Sequence, residues 1–238
     1  MMMKTAGLLT CATVIFSAGA ALAGSLNDPV ITPVTPVVED PKPWQGAYVG
    51  GTLGYHFAGG DRIGLTPAIG PSFSTGEELN ISGPAVSLRA GYRWQFSDFV
   101  VGGEIAAEAG NVEDSFTGGA YSGSTKLNHA LSLRVKAGVA SKLFGSFIYG
   151  TVGLSRAEFD YVISGSGGGG AVSFDDTYST NGYILGVGFE RPLSDRWTLT
   201  GDYEYVNFGT DELTDGAGNT TLATPLFHTI KLGVNYNF

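Results

Sequence analysis

Val86-Ser87-Leu88-Arg89-Ala90-Gly91-Tyr92-Arg93-Trp94-Gln95-Phe96 decides the fold. Val86, Leu88, Ala90, Tyr92, Trp94 and Phe96 share one parity, while Ser87, Arg89, Gly91, Arg93 and Gln95 share the other. Successive side chains of a strand point to opposite faces, so this run is a strand with one apolar and one polar face. Residues 226–238 repeat the pattern, with His228, Ile230, Leu232, Val234, Tyr236 and Phe238 set against Thr229, Lys231, Gly233, Asn235 and Asn237.

Working outward, six more segments fit the same period: 46–57, 99–109, 127–142, 146–159, 182–192 and 197–207. Each meets or slightly exceeds the roughly 9–11 residues that a tilted membrane strand needs. Short connections near Ser97-Asp98, Phe144-Gly145 and Ser194-Asp195-Arg196 alternate with long ones through 58–84, 110–126, 160–181 and 208–225. Short turns on one side and long loops on the other predict an all-β chain, an eight-stranded antiparallel transmembrane up-and-down β-barrel, with both ends on the short-turn side.

Turn lengths set the expected register. A two-residue turn at Phe144-Gly145 places Val139 opposite Gly150 and Ala137 opposite Val152. A three-residue turn at 194–196 places Phe189 opposite Gly201 and Val187 opposite Tyr203. A slip by one residue would mix the faces. Aromatic bands are expected at the two headgroup boundaries. Trp44, Trp94, Trp197, Phe96, Phe99, Phe189, Tyr236 and Phe238 lie near the short turns, and Tyr55, Phe57, Phe159, Tyr183, Tyr205 and Phe208 near the long loops.

The first residues read as a secretory signal: Lys4, an apolar run from Leu8 to Ala21, and a cleavage site at Ala21-Leu22-Ala23. The run is too short for a spanning helix, and Cys11 falls too early for a lipoprotein site. Removing residues 1–23 removes the single cysteine, so no disulfide is expected. Five of the ten prolines fall in 24–43, which reads as an extended periplasmic linker before a barrel at 44–238. A net charge of −9 argues against nucleic acid. A mean hydropathy of only +0.11 suits a barrel, which shows lipid every second residue.

The polar parity carries five bases, Arg89, Arg93, Arg134, Lys136 and Lys231, and five acids, Glu104, Glu108, Glu190, Asp202 and Glu204. An eight-stranded barrel is just wide enough for side chains to fill. These ten groups are therefore expected to neutralise one another as a lumen plug, with Glu104 diagonally between Arg89 and Arg93. Gly50, Gly54, Gly102, Gly186, Gly188 and Gly233 share the inward parity and would give the long side chains room.

Other motifs dissolve on inspection. Gly165–Gly170 matches G-x-G-x-x-G without the parallel strand and helix of a dinucleotide site, and reads as a flexible outer loop. Residues 211–216 resemble the start of a calcium loop, but Leu213 and Leu222 replace ligands. His56, His129 and His228 are too scattered for zinc, and no serine is singled out for a triad with His129 or His228. No cofactor is expected. Asp61, Glu77, Glu78, Glu113, Asp114, Asp160, Asp175, Asp176, Asp211, Glu212 and Asp215 would form a solvated anionic cap.

Three stretches carry a family resemblance: Trp44–Tyr55, Asp202–Gly209 and the terminal Lys231-Leu232-Gly233-Val234-Asn235-Tyr236-Asn237-Phe238. The chain resembles, over 44–238, the opacity and porin-like family of small outer-membrane barrels of alphaproteobacteria. The resemblance implies a bacterial outer-membrane location and contact with its lipid and lipopolysaccharide. It implies assembly by the insertion machinery, through Leu232, Val234, Tyr236 and Phe238, and carries over no catalytic residue. Members include structural barrels, porin-like proteins, haem binders and adhesins. A monomeric structural barrel with surface-exposed loops is therefore expected, with a small porin-like channel or a loop-borne binder of haem or a host partner as alternatives.

Overall fold

The computed structural model describes residues 42–68, 73–118, 120–167 and 170–238. Its strands are β1 (Gly46–Thr66), β2 (Phe73–Leu79), β3 (Gly83–Phe96), β4 (Phe99–Gly118), β5 (Tyr121–Ser141), β6 (Ser146–Gly167), β7 (Gly170–Pro192), β8 (Trp197–Asn207), β9 (Asp211–Thr214), β10 (Thr220–Ala223) and β11 (Leu226–Asn237). The signal at 1–23 and the linker up to residue 41 lie outside the described residues.

Eight strands form a closed ring in the order β1-β3-β4-β5-β6-β7-β8-β11, every neighbour antiparallel, and β11 returns to β1 from Tyr48↔Asn237 to Gly60↔Leu226. Through the membrane section closure leaves no unpaired edge, which a strand structure in hydrocarbon requires. Both ends of the ring meet on the short-turn side, where the Phe238 amide donates to the Ala47 carbonyl at 3.0 Å.

The lipid-facing parity is as the alternation predicts. Leu53, Leu88, Ile105, Leu133, Leu154, Val187 and Leu232 are all more than half exposed, a pattern that only a lipid surround makes stable. Two of the expected short turns hold their registers: Phe96↔Phe99 across Ser97-Asp98, and Phe189↔Gly201 with Val187↔Tyr203 across 194–196. The third does not. The β5–β6 turn spans Lys142–Gly145, pairing Ser141 with Ser146, so Val139 faces Ile148 and Ala137 faces Gly150. A shift of two residues keeps every side chain on its own face, so alternation alone could not separate the two registers.

The larger correction concerns the outer side. The segments expected as loops are mostly strand: β4, β5, β6 and β7 run 20, 21, 22 and 23 residues, about twice what a membrane needs. Of the Gly165–Gly170 stretch expected as a free loop, Gly165 is paired to Val172 and Gly167 to Gly170 in the β6–β7 hairpin, while residues 168 and 169 lie outside the described residues. Short β2, β9 and β10 extend the upper part of β1. The preference of the two faces inverts along the way. On β6 the inward positions change from Thr151 and Ser155 to the buried Phe159, Tyr161 and Ile163. Past the lipid, outside is water, so apolar side chains turn inward as in any soluble sheet. On β5 a bulge at Asn128, between Leu127↔Phe159 and His129↔Glu158, also switches which parity points inward.

Candidate functional site in the barrel interior

The interior is built in three levels, beginning at the short-turn end. Trp44, Val100, Phe147 and Tyr149 are buried together there. The Trp44 amide donates to Gln95 Oε1 at 3.0 Å, and its ring lies 5.7 Å from that of Phe147. The Arg93 guanidinium sits 4.5 Å from the centre of the Tyr48 ring and 5.7 Å from that of Trp44, a doubly stacked cation. Trp44 was expected in the lipid-facing band; it instead forms a floor across the barrel mouth.

Above the floor the structure brings together all ten residues of the predicted inward set, nine of them less than 9% exposed and the Glu108 side chain 11% exposed. Glu104 is the hub, accepting from Lys136 Nζ at 2.8 Å, Arg134 at 3.3 Å and the Tyr48 hydroxyl at 2.8 Å, with Arg89 Nε at 3.9 Å. Arg134 also reaches Glu204 at 3.3 Å, and Lys231 joins Glu204 at 2.9 Å to Glu108 at 2.7 Å. Asp202 receives Arg89 at 3.2 Å and the Tyr149 hydroxyl at 2.7 Å.

Glu104 does stand opposite Gly91, between Arg89 and Arg93, but only Arg89 turns to it. Arg93 points toward the floor, pairing with Glu190 at 2.8 Å and donating to Asn237. The two centres are joined by Asn235, which accepts from Arg89 Nε at 2.8 Å and donates to Glu190 at 3.1 Å.

Asn235, Tyr48, Tyr149 and His56 belong to the cluster although their charge gave no sign of it. All lie on inward parities, and that was the available signal. His56, fully buried, makes the top of the charged level: Nε2 is 3.0 Å from Glu108 Oε1, and Nδ1 is 2.9 Å from the Thr229 hydroxyl. The inward glycines make the space. A Cβ on Gly102 would come within 2.8 Å of Arg93 Cγ, one on Gly186 within 3.1 Å of Glu204 Cγ, and one on Gly188 within 2.7 Å of both Asp202 and the Tyr149 ring.

The third level is apolar. Phe227 packs edge-on over His56 at 4.6 Å, and above it Ile81, Val112, Leu127, Phe159, Tyr161, Ile163, Val172, Phe174 and Phe208 form one buried cluster. Phe159 and Phe208, expected in the outer aromatic band, belong to this core. The outward band itself includes Tyr55, Phe57, Tyr183, Tyr203, Tyr205 and His228; Phe57 stacks on His228 at 5.9 Å, and Tyr203 Oη and His228 Nδ1 are 2.8 Å apart.

The expected anionic cap is partly structural. Asp215, which the calcium-like reading would have offered as a ligand, accepts from the amides of Ala217 at 2.9 Å, Asn219 at 2.8 Å and Ser173 at 3.3 Å, and from Asn219 Nδ2 at 2.6 Å. Asn219 in turn holds the Ala171 carbonyl at 3.2 Å and accepts from the Ala68 amide at 3.0 Å. One turn thus stitches three outer segments together. Burial opposes charge on Asp215, but the donors from Asn219, Ser173 and Ala217 outweigh it and hold the carboxyl below the usual range. Asp114 is likewise used, accepting from the Asn80 amide at 2.6 Å, and Asp160 accepts from Thr177 at 2.7 Å. Asp61, Glu77 and Glu78 have no described side chains.

Among known proteins, the chain is similar to the 31 kDa outer-membrane immunogenic proteins of Brucella melitensis and Brucella suis. It is 26% identical to each over 245 residues, covering 99% of this chain and 100% of theirs. Among solved structures it is similar to a major outer membrane protein from Thermus thermophilus, with 13% identity over 81% of this chain and 100% of that one and a TM-score of 0.47. OprG from Pseudomonas aeruginosa is 11% identical over 82% of this chain and 96% of its own, with a TM-score of 0.46. The family model for the outer membrane protein β-barrel domain matches residues 40–238. With a closed ring of strands, a lipid-facing apolar belt and that match, the chain belongs to the outer-membrane β-barrel protein family and resides in the bacterial outer membrane.

Proposed function

We propose that the protein is a monomeric structural barrel of the outer membrane, non-conducting and without catalysis, that anchors a packed β-structure on the cell surface. The observation that carries this reading is the filling of the interior at three successive levels: the Trp44–Phe147 floor, the ten-charge network and the apolar outer core. A water-filled pore needs a continuous polar path, whereas an eight-stranded barrel packed with long side chains offers none. The absence of catalysis is supported by the partners of the lipid-facing histidines: His228 meets Tyr203, and His129 lies 3.8 Å from Glu158. Neither has a serine hydroxyl to activate among the described residues. The Brucella relatives are named immunogenic outer-membrane proteins, which fits a surface role for the outer hairpins.

Planar-bilayer recording of the refolded chain tests the reading. The expected record has no steady conductance. A stable, ion-selective current would overturn it in favour of a small passive channel.

A further inference from the structure

Arg156 is a cation the interior does not use. It lies on the outward parity of β6 and is exposed, with Leu131 opposite on β5 and Asn181 opposite on β7. Five other bases of the barrel strands are buried in the lumen network, whereas the Arg156 guanidinium has neither ion pair nor hydrogen bond among the described residues. Its height is fixed by its neighbours. One outward position below it on β6 is Leu154, 68% exposed, and directly across from Leu154 are Leu133, 59% exposed, and Tyr183 of the outer aromatic band. One outward position above it is Glu158, whose carboxylate lies 3.8 Å from His129 Nδ1 on β5 and makes no ion pair with Arg156. Arg156 therefore stands where the hydrocarbon ends and the headgroups begin.

We propose that Arg156 is the headgroup anchor of a docking site for a single phosphate-bearing lipid of the outer leaflet. The chemistry has two halves, both on one face. Leu131, Leu133 and Leu154 offer an aliphatic surface against which acyl chains lie. The guanidinium immediately above offers the planar fork of donors that matches a phosphate. A long cationic side chain on the lipid face directs its charge toward the headgroups, and the acidic outer surface supplies no carboxylate to this one. Asn181 beside it, exposed on the same strand level, adds an amide donor for the neighbouring ester oxygens. A free phosphate would find the guanidinium but no use for the aliphatic half, so the occupant is the lipid. The site is independent of whether the lumen conducts.

The test uses the refolded full chain in nanodiscs of zwitterionic lipid containing a small fraction of phosphatidic acid, with the lipid retained on the protein read by native mass spectrometry. The variants are Arg156→Gln, Arg156→Lys and, at the opposite membrane boundary, Arg191→Gln, an exposed outward arginine opposite Leu199. A heat-dependent shift in gel mobility verifies that each has folded. The wild type is expected to retain one phosphatidic acid, and Arg156→Gln to weaken retention about tenfold, as loss of one charge-assisted contact does. Arg156→Lys keeps part of the affinity, Arg191→Gln keeps all of it, and millimolar inorganic phosphate does not displace the lipid. Equal retention in Arg156→Gln overturns the proposal. So does an equal loss in Arg191→Gln, which would mean unspecific charge attraction, and so does displacement by inorganic phosphate, which would mean a bare-anion site.

Discussion

At the scale of single residues, the interior is governed by who is left unpaired. Glu104 faces Arg89, Arg134 and Lys136 at once, so deleting its carboxylate takes an acceptor from three buried cations. Arg134 is left only Glu204, and Arg89 and Lys136 are left to share Asp202, which Lys136 meets at 4.0 Å. Glu104→Ala should therefore destabilise the barrel by about 3–5 kcal/mol, less any relief from lumen water. Urea titration followed by heat-modifiable gel mobility reads this directly, and an unchanged midpoint would contradict the hub. Asn235→Leu, which leaves Arg89 Nε without its acceptor and separates the two charge centres, should cost about 1–3 kcal/mol. The ten charges were legible because parity and sign are both written in the sequence. Asn235 and His56 were not, because parity says that a side chain points inward but not at what height it arrives. The pairing of Arg93 with Glu190 rather than Glu104 has the same origin: a long side chain chooses its level after the backbone is set.

At the scale of elements, the alternation identified the eight membrane strands and stopped at the lipid boundary for a physical reason. Beyond it the solvent outside the barrel changes from hydrocarbon to water, the apolar parity moves inward, and on β5 the Asn128 bulge shifts the parity once more. A reader following one parity sees the pattern fail and infers a loop. Phe159 and Phe208 show the same ambiguity, since an aromatic near the boundary looks alike whether it faces headgroups or a core. The outer elements are clasped by the Asp215 turn, and this gives a pH prediction. Asp215 titrates lower in the fold than in an unfolded chain, whose carboxyl titrates at about 3.9. Its contribution is complete above that value and is lost as pH falls through the lower folded value. Hydrogen exchange at 171–173 and 215–219 should then accelerate below about pH 4 while exchange in β3 and β4 stays slow. Asp215→Asn should show the faster outer exchange already at neutral pH.

At the scale of the whole molecule, the chain is one seam away from being an open sheet. That seam is β1 with β11, finished by Phe238, whose ring packs 5.1 Å from that of Tyr236 on the lipid-facing side. Deleting Phe238 removes the last apolar position and the amide that reaches Ala47. Outer-membrane levels at native expression should fall and periplasmic protein should rise in cell fractionation; unchanged levels would remove the terminus from any part in assembly. The seam also bears on the order of construction. Lys231 rides on β11, the strand synthesised last of the eight, yet its partners Glu108 and Glu204 sit on β4 and β8. Until β11 docks, those two carboxylates share one base too few, and the half-built sheet holds an uncompensated negative charge on the face that will become the interior. Closure is thus the event that balances the ledger of charge, and a barrel joined one residue out of register would point Lys231 at lipid and leave it unbalanced. The interior acts as a checksum on its own assembly.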